Sequence, residues 1–355
     1  MRIAVIYNEP KPAPASDHWL ASDASAHGPA PAADASELGV LDQVAGIDDF
    51  LRDAGHDTTV LAIRDVASLV RLLEADRPDL IFNVCEALRG DDTLTMAVAG
   101  LFDLCGIPYT GSSALTLGLA LDKSITKALF RAHGVPTPAY ELLEPNTPCD
   151  LELRYPLIVK PVRADASNGI TAGSVVGDAG EVARRAAFIW RTFEQPALVE
   201  EYIDGREFNV ALLAASPTEW VTLPLSEITF EGFGDQPRIV CYESKWVHGS
   251  AAYRRTVPQC PAAVSDDVAA EVRAAALHAA RAVGLRDYGR IDVRVRAADN
   301  AVFVLEANPN PDISRDAGFM RAAAASGRTH ASTIREIVER AAERARLTAA
   351  LDRAS

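Results

Sequence analysis

The chain has 355 residues, of which 48% are apolar and 24% charged, and its formal net charge is −14. That length and composition suit a globular protein of roughly two to three domains with an ample core. The acidic balance argues against nucleic acid and anionic membrane as partners, but not against nucleotides, which a few local lysines can hold.

The first run, RIAVIY, reads as a buried strand. Residues 10–36 are rich in Pro, Ala, Ser and Asp and read as a long mobile insertion. Asp34 or Ser36 can cap a helix over 38–54 that stops at Gly55. A strand (TTVLAI), a helix over 65–75, a strand (DLIFNV) and a helix over 91–104 follow. This alternation predicts a small open parallel α/β domain with ligands beyond the carboxyl ends of its strands, near Asn83, Cys85, Glu86 and Arg89. No G-x-G-x-x-G follows the first strand, so a dinucleotide Rossmann site is not expected.

LDKSITKALFRAHG reads as a helix carrying Lys123 and Lys127 on one face, a pattern more common on solvated surfaces than at ligands. Lys160 ends the apolar strand LIVK, where an ammonium is costly unless it meets an anion. The small-residue loop RADASNGI suits backbone approach to phosphate. A helix over 179–192 and the strand VEEYI follow, and VEEYI can offer its backbone edge to a base. The segment CYESKWVHGSAAYRRTVP reads as a loop over a site, a long amphipathic helix covers 266–284, and a charged helix covers 330–347. The five cysteines include no C-x-x-C pair, so reduced thiols are expected rather than zinc or disulfides. No apolar run approaches a membrane span, and the expected location is cytoplasmic.

Near the end, RIDVRV and VFVLEANPNPD flank AADN and read as an antiparallel hairpin. Residues i and i+2 share a strand face. Arg290 therefore lies with Asp292, and Glu306 with Asn308. If the hairpin brings the two pairs together, two carboxylates, an amide oxygen and a guanidinium converge. Mg²⁺ takes such oxygen ligands together with substrate phosphates, and the guanidinium suits an anionic substrate.

Six stretches now stand in one order: GIPYTGSSALTLGLALDKSITK, PLIVKPVRADASNGI, LVEEYIDGREF, YESKW, GRIDVRV and LEANPNPD. Together they resemble the D-alanine–D-alanine ligase branch of the ATP-grasp superfamily. The resemblance implies an α/β ATP-grasp fold with three domains. These are an N-terminal parallel domain over 1–112, a central lid over 113–203, and a C-terminal antiparallel-sheet domain over 204–355. It implies that Lys123 and Lys160 contact ATP phosphates and that Ser167 and Gly169 belong to the phosphate-covering loop. Glu200, Tyr202 and Ile203 would hold adenine, Glu207 the ribose, and Lys245 would reach the phosphates from a mobile loop. Asp292, Glu306 and Asn308 would bind two Mg²⁺ ions, with Mn²⁺ as a substitute, and Arg290 would stabilise the reacting acyl group. A homodimer is also implied.

The departures fall on the substrate side. Where the family has a Gly-Gly-x-Ser-x-Glu turn, this chain has YNEPKPAP and the insertion, with Glu37 as a substitute acid. Ala166 replaces a serine of the phosphate loop, Cys85-Glu86 replaces a His-Gly, and Asp312 stands where the family has glycine. The sequence thus predicts an ATP-dependent carboxylate–amine ligase for an amino acid or peptide-like metabolite other than the D-alanine pair. The alternatives are D-alanine–D-alanine ligation with divergent subsites and a nucleotide-binding protein without turnover.

Overall fold

The computed structural model describes residues 1–9 and 35–352, apart from 76, 146, 148, 217 and 218. Asp34 and nearly all of the 10–36 insertion lie outside the described residues, as do the side chains of Ser36 and Glu37. The first strands are β1 (Arg2–Asn8), β2 (Asp57–Ile63) and β3 (Leu80–Val84), and the first helices are α1 (Ala35–Asp53), α2 (Val66–Ala75) and α3 (Thr95–Leu104). The strands form a parallel sheet in the order β2-β1-β3. β1 and β3 are buried because their apolar side chains are covered on both faces. The order reverses beside β1, so the crevice beyond β1 and β3 is the switch point where such sheets take ligands.

The expected lysine-bearing helix is preceded by a separate one. α4 (Ala114–Leu121) ends at Asp122, which then caps α5 (Lys123–Ala132) by accepting from Ser124 N and Ile125 N. The turn at Asp122 aims Lys123 and Lys127 into the protein, and both are buried rather than solvated.

A four-stranded antiparallel sheet follows, built from β4 (Tyr140–Leu143), β5 (Leu157–Pro161), β6 (Val175–Val176) and β7 (Ala197–Glu201) in the order β4-β7-β5-β6. α6 (Ala179–Phe193) packs on it through Val182, Ala186 and Ile189.

The last sheet has six strands: β8 (Gly205–Ala214), β9 (Trp220–Thr222), β10 (Ser226–Phe230), β11 (Thr256–Gln259), β12 (Tyr288–Arg296) and β13 (Val302–Asn308). The segment expected as a loop over the site instead contains two short helices, α7 (Tyr242–Trp246) and α8 (Ala251–Arg255), before β11. The back of the sheet buries Phe208, Val210, Ile291, Val293, Val295 and Val304 against α9 (Asp266–Val283). Each such side chain contributes about 1.5–3 kcal/mol. On the front, Ala211, Leu213 and Tyr288 join the core shared with α1, α10 (Gly318–Ala325) and α11 (His330–Asp352). The rest of the front carries the polar residues described next.

Candidate active site

β12 and β13 pair so that Arg290 faces Asn308 and Asp292 faces Glu306. The expected convergence therefore occurs, but strict alternation alone does not produce it. Val304 lies with the buried back face, and plain alternation would put Glu306 there too. The register shifts beside Asp292, leaving Leu305 as an extra residue, and the β-bulge turns Glu306 and Asn308 to the front. β8 adds Asn209, which lies opposite Asp292.

Asp292 is the hub of this face. Arg290 Nε and Nη2 donate to its two oxygens at 2.7 and 2.8 Å. Asn209 Nδ2 donates to Oδ1 at 2.7 Å and Asn308 Nδ2 to Oδ2 at 3.1 Å. Burial alone would raise the Asp292 carboxyl, but the Arg290 charge and these hydrogen bonds hold it below the usual range. Glu306 goes the other way. Burial and the neighbouring Asp292 charge push it above the usual range, against the pull of Lys123 and Lys160. Two neighbouring carboxylates, one of them raised by the charge of the other, with an amide beside them, are a donor set a hard divalent cation fits. Asp292, Glu306 and Asn308 can hold Mg²⁺, which would supply charge neutralisation at phosphate oxygens.

The lysines converge from the other side. Lys160 Nζ and Lys127 Nζ each lie 2.7 Å from one oxygen of Glu200, which is 1% exposed. Lys127 also donates to Thr137 Oγ1 at 2.8 Å, and that hydroxyl donates to Val304 O. Burial lowers the Lys127 ammonium to a pKa of about 8, with Glu200 opposing the shift. The Glu200 carboxylate is thus committed to two ammonium groups and not open to a base. Tyr202 N donates to Pro156 O, so that backbone donor is also taken. Ile203 O accepts from Arg294 at 2.9 Å, and Glu207 pairs with the same arginine at 2.7 Å.

The loop after β5 closes over this cluster. Lys123 Nζ donates to Ala164 O at 2.5 Å. Ala166 and Ser167 both take left-handed backbone angles, φ 56° and 62°, a conformation that costs non-glycine residues energy. Gly169 has φ 74°, and a Cβ there would meet Pro161 at 2.5 Å, so only glycine fits. The α7 segment latches onto this loop. Ser167 Oγ donates to Val240 O at 3.2 Å, Tyr242 N to Ile170 O at 2.9 Å, and Trp246 Nε1 to Ala166 O at 2.8 Å. Lys245 is exposed to solvent within the cleft. The surrounding protein and Arg290 lower its pKa, while Glu306, Asp292 and Asp165 act to raise it. It therefore lies within electrostatic reach of the Asp292 face.

Sequence reasoning missed Asn209, Arg294, Lys127 as a buried ion-pair partner, and Trp246. The first two lie one alternation step from Glu207 and Asp292, so the rule that paired Arg290 with Asp292 already reached them.

The fold and this face define an ATP-grasp protein of the ADP-forming carbon–nitrogen ligase class. Residues 129–339 match the family described as D-ala D-ala ligase C-terminus. The chain is 34% identical over 301 residues to a D-alanine–D-alanine ligase of Bordetella petrii, covering 84% of this chain and 83% of that one. It is also 34% identical over 296 residues to an uncharacterized protein of Sinorhizobium fredii, covering 81% and 84%. The solved D-alanine–D-alanine ligase of Bacillus anthracis complexed with ATP superposes with a TM-score of 0.72 at 20% identity, over 98% of this chain and 99% of that one. The chain belongs to the D-alanine–D-alanine ligase family.

Proposed function

We propose that the chain joins a carboxylate to an amine at the expense of ATP, on an amino acid or peptide-like substrate other than the D-alanine pair. The observation that carries this reading is the front face of β12 and β13, where Arg290, Asp292, Glu306 and Asn308 meet. The substrate carboxylate attacks the γ-phosphorus of ATP, ADP leaves, and an acyl phosphate forms. The amine then attacks the acyl carbon and phosphate departs. Such transfers depend mainly on positioning and charge neutralisation. Lys123, Lys160 and Lys245 would hold the phosphates. Ser167 and Gly169 would cover them, and Arg290 would stabilise the anionic acyl intermediates. Closure of the 163–170 loop on α7 would exclude water from the acyl phosphate.

For adenine and ribose we assign Ile203 and Glu207, with Glu200 acting through Lys160 rather than on the base and Tyr202 as a wall. Asp292, Glu306 and Asn308 would bind two Mg²⁺ ions, or Mn²⁺. The three sheets support a division into domains near residues 112 and 203.

The substrate reading rests on Ala166, Glu86 and Asp312, which replace residues of the alanine subsites. The relatives named D-alanine–D-alanine ligase favour the second reading, synthesis of that dipeptide. One experiment separates them: ADP formation from Mg·ATP with D- and L-amino acids, singly and in pairs, with mass spectrometry of products. The dipeptide from D-alanine alone establishes the second reading. A product only from other substrates establishes the first.

We also infer a homodimer in a cytoplasmic setting. No helix among the described residues is long and apolar enough to cross a membrane. Met96 and Leu104 on α3 and Leu115 on α4 are 44%, 87% and 67% exposed, apolar side chains that a second copy could cover. Light scattering of the parent chain and of Leu104→Glu tests it, with a shift to monomer expected for the variant.

A further inference from the structure

Beyond Asp292 on the same face of β12 stands Arg294, only 3% exposed, and its cross-strand partner on β8 is Glu207. The guanidinium is tightly held. Nε and Nη2 donate to Glu207 Oε2 at 3.1 and 2.7 Å, Nη1 donates to Ile203 O at 2.9 Å, and Nη2 also donates to Arg238 O. Its centre lies 5.4 Å from the Tyr202 ring and 5.9 Å from the Phe230 ring. Arg294 thus ties the β7–β8 connection to the segment leading into α7. Gly205 permits this close approach, since a Cβ there would fall 2.0 Å from Val295 O.

The form of the ion pair is unusual for this chain. Arg206 with Glu227, Arg290 with Asp292, Arg296 with Asp299 and Arg344 with Asp287 each present Nε and Nη2 to the two different oxygens of the carboxylate. That is the two-pronged geometry a guanidinium prefers. Arg294 instead places both donors on Glu207 Oε2. Among the described residues Glu207 Oε1 has no hydrogen-bond donor, on a residue 8% exposed in the nucleotide cleft. A carboxylate turned to hold one oxygen in reserve is prepared for an external hydroxyl donor.

We propose that Arg294 is a positioning residue for the nucleotide sugar, gripping one oxygen of Glu207 so that the other accepts from the 2′- and 3′-hydroxyls of a ribonucleoside triphosphate. The site then selects ribonucleotides over 2′-deoxyribonucleotides. This rests on the nucleotide reading given above. Loss of the 2′-hydroxyl removes a charge-assisted hydrogen bond and leaves a buried carboxylate oxygen unpaired, a combination expected to weaken binding about tenfold or more.

The test is calorimetric titration of the full chain with Mg·ADP and Mg·2′-deoxy-ADP, which requires no knowledge of the other substrates. The parent protein is expected to favour ADP by about tenfold or more. Arg294→Met, which keeps the stem and removes the donors, is expected to bring the ratio close to one by weakening ADP more than its deoxy analogue. Glu207→Gln should also reduce the ratio. Arg294→Lys, which keeps the charge without the fork, should recover part of it. These two decide the matter if the methionine variant fails to fold. Equal affinity of the parent for both nucleotides overturns the inference, as does undiminished discrimination in Arg294→Met or in both other variants. Absence of any nucleotide binding by the folded parent removes the nucleotide reading itself and this inference with it.

Discussion

At Glu200 one buried carboxylate faces two ammonium groups, whereas at Asp292 and Glu306 two carboxylates face one guanidinium across neighbouring strands. The first cluster carries an excess of positive charge and the second pairs two acids so closely that one resists ionising. Under the proposed function each imbalance would have its complement in a different part of Mg·ATP, the phosphates for the lysines and a divalent cation for the acids. The two ends of the cleft therefore differ in what holds them together before anything binds. The lysine end is completed by its own ion pairs, inside the fold. The acid end would be completed by the cation of the proposed function. Mutations that look alike on paper should differ sharply in their cost at the two ends.

The largest effect should come from breaking the lysine end. Glu200→Gln takes the carboxylate from two buried ammonium groups and leaves Lys127 with Thr137 Oγ1 as an acceptor. Removing one partner of such a buried cluster costs about 3–5 kcal/mol. Denaturant unfolding of the metal-free protein checks this, and a loss below about 1 kcal/mol would mean that the lysines had another route to neutrality. Arg290→Ala should come next, and the loss that distinguishes it is in rate, beyond the cost of leaving the buried Asp292 carboxylate without its guanidinium. Removing a donor aimed at developing negative charge costs about 10²–10³ in turnover, while the lysines keep ATP bound. An unchanged rate of ADP formation would remove Arg290 from the chemistry.

Glu306→Gln is the counterpart of Glu200→Gln at the acid end, and the contrast is sharpest there. Removing one of two opposed carboxylates relieves repulsion, so metal-free stability should stay within about 1 kcal/mol of the parent. The gain on adding Mg²⁺ with ATP, about 2.7 kcal/mol at one hundred times the dissociation constant, should shrink or vanish. Thermal unfolding with and without Mg²⁺ reads both quantities. If the two substitutions destabilise the metal-free chain equally, the distinction between the ends fails.

How much of this was legible in the sequence follows the same division. The hairpin, the strand-ending Lys160 and the alternation of Arg290 with Asp292 were readable, because period-two patterning and the cost of a buried ammonium are local rules. The phase of Glu306 was not derivable from alternation, since Val302, Val304, Glu306 and Asn308 would all share one face. A single bulged residue, Leu305, decides it. Nor could Lys127 be told from a surface lysine by helical spacing. Its burial depends on Asp122 capping α5 and on a carboxylate more than seventy positions away. The ion-pair partners of Glu200 were hidden for the same reason, because a sequence shows that an acid stands at a hinge but not which partners take its two oxygens. The order of strands and helices was legible because it is carried by runs of residues. Ion-pair partners were not, because they are set by how sheets face one another.

The smallest effect is one of pH, and it tests the lysine end without removing its carboxylate. Burial lowers Lys127 to about 8 in the folded chain, against an unfolded value near 10.4. Between those values the unfolded chain binds the proton more tightly than the native one. Stability therefore rises with pH across that window wherever this group dominates. Below pH 8 the lysine is charged in both states and the cost of burying it is constant. Above the unfolded value it is neutral in both, and the cost has gone. The slope from one proton is at most about 1.4 kcal/mol per pH unit, and the other lysines of the chain add their own slopes. Lys127→Met isolates the term, since it keeps the stem and removes the titration. The difference in unfolding free energy between parent and variant should change steadily from pH 8 to pH 10 and be flat from pH 6 to pH 7.5. A difference that is flat throughout would mean that Lys127 keeps its proton, and that Glu200 outweighs burial at this end of the cleft.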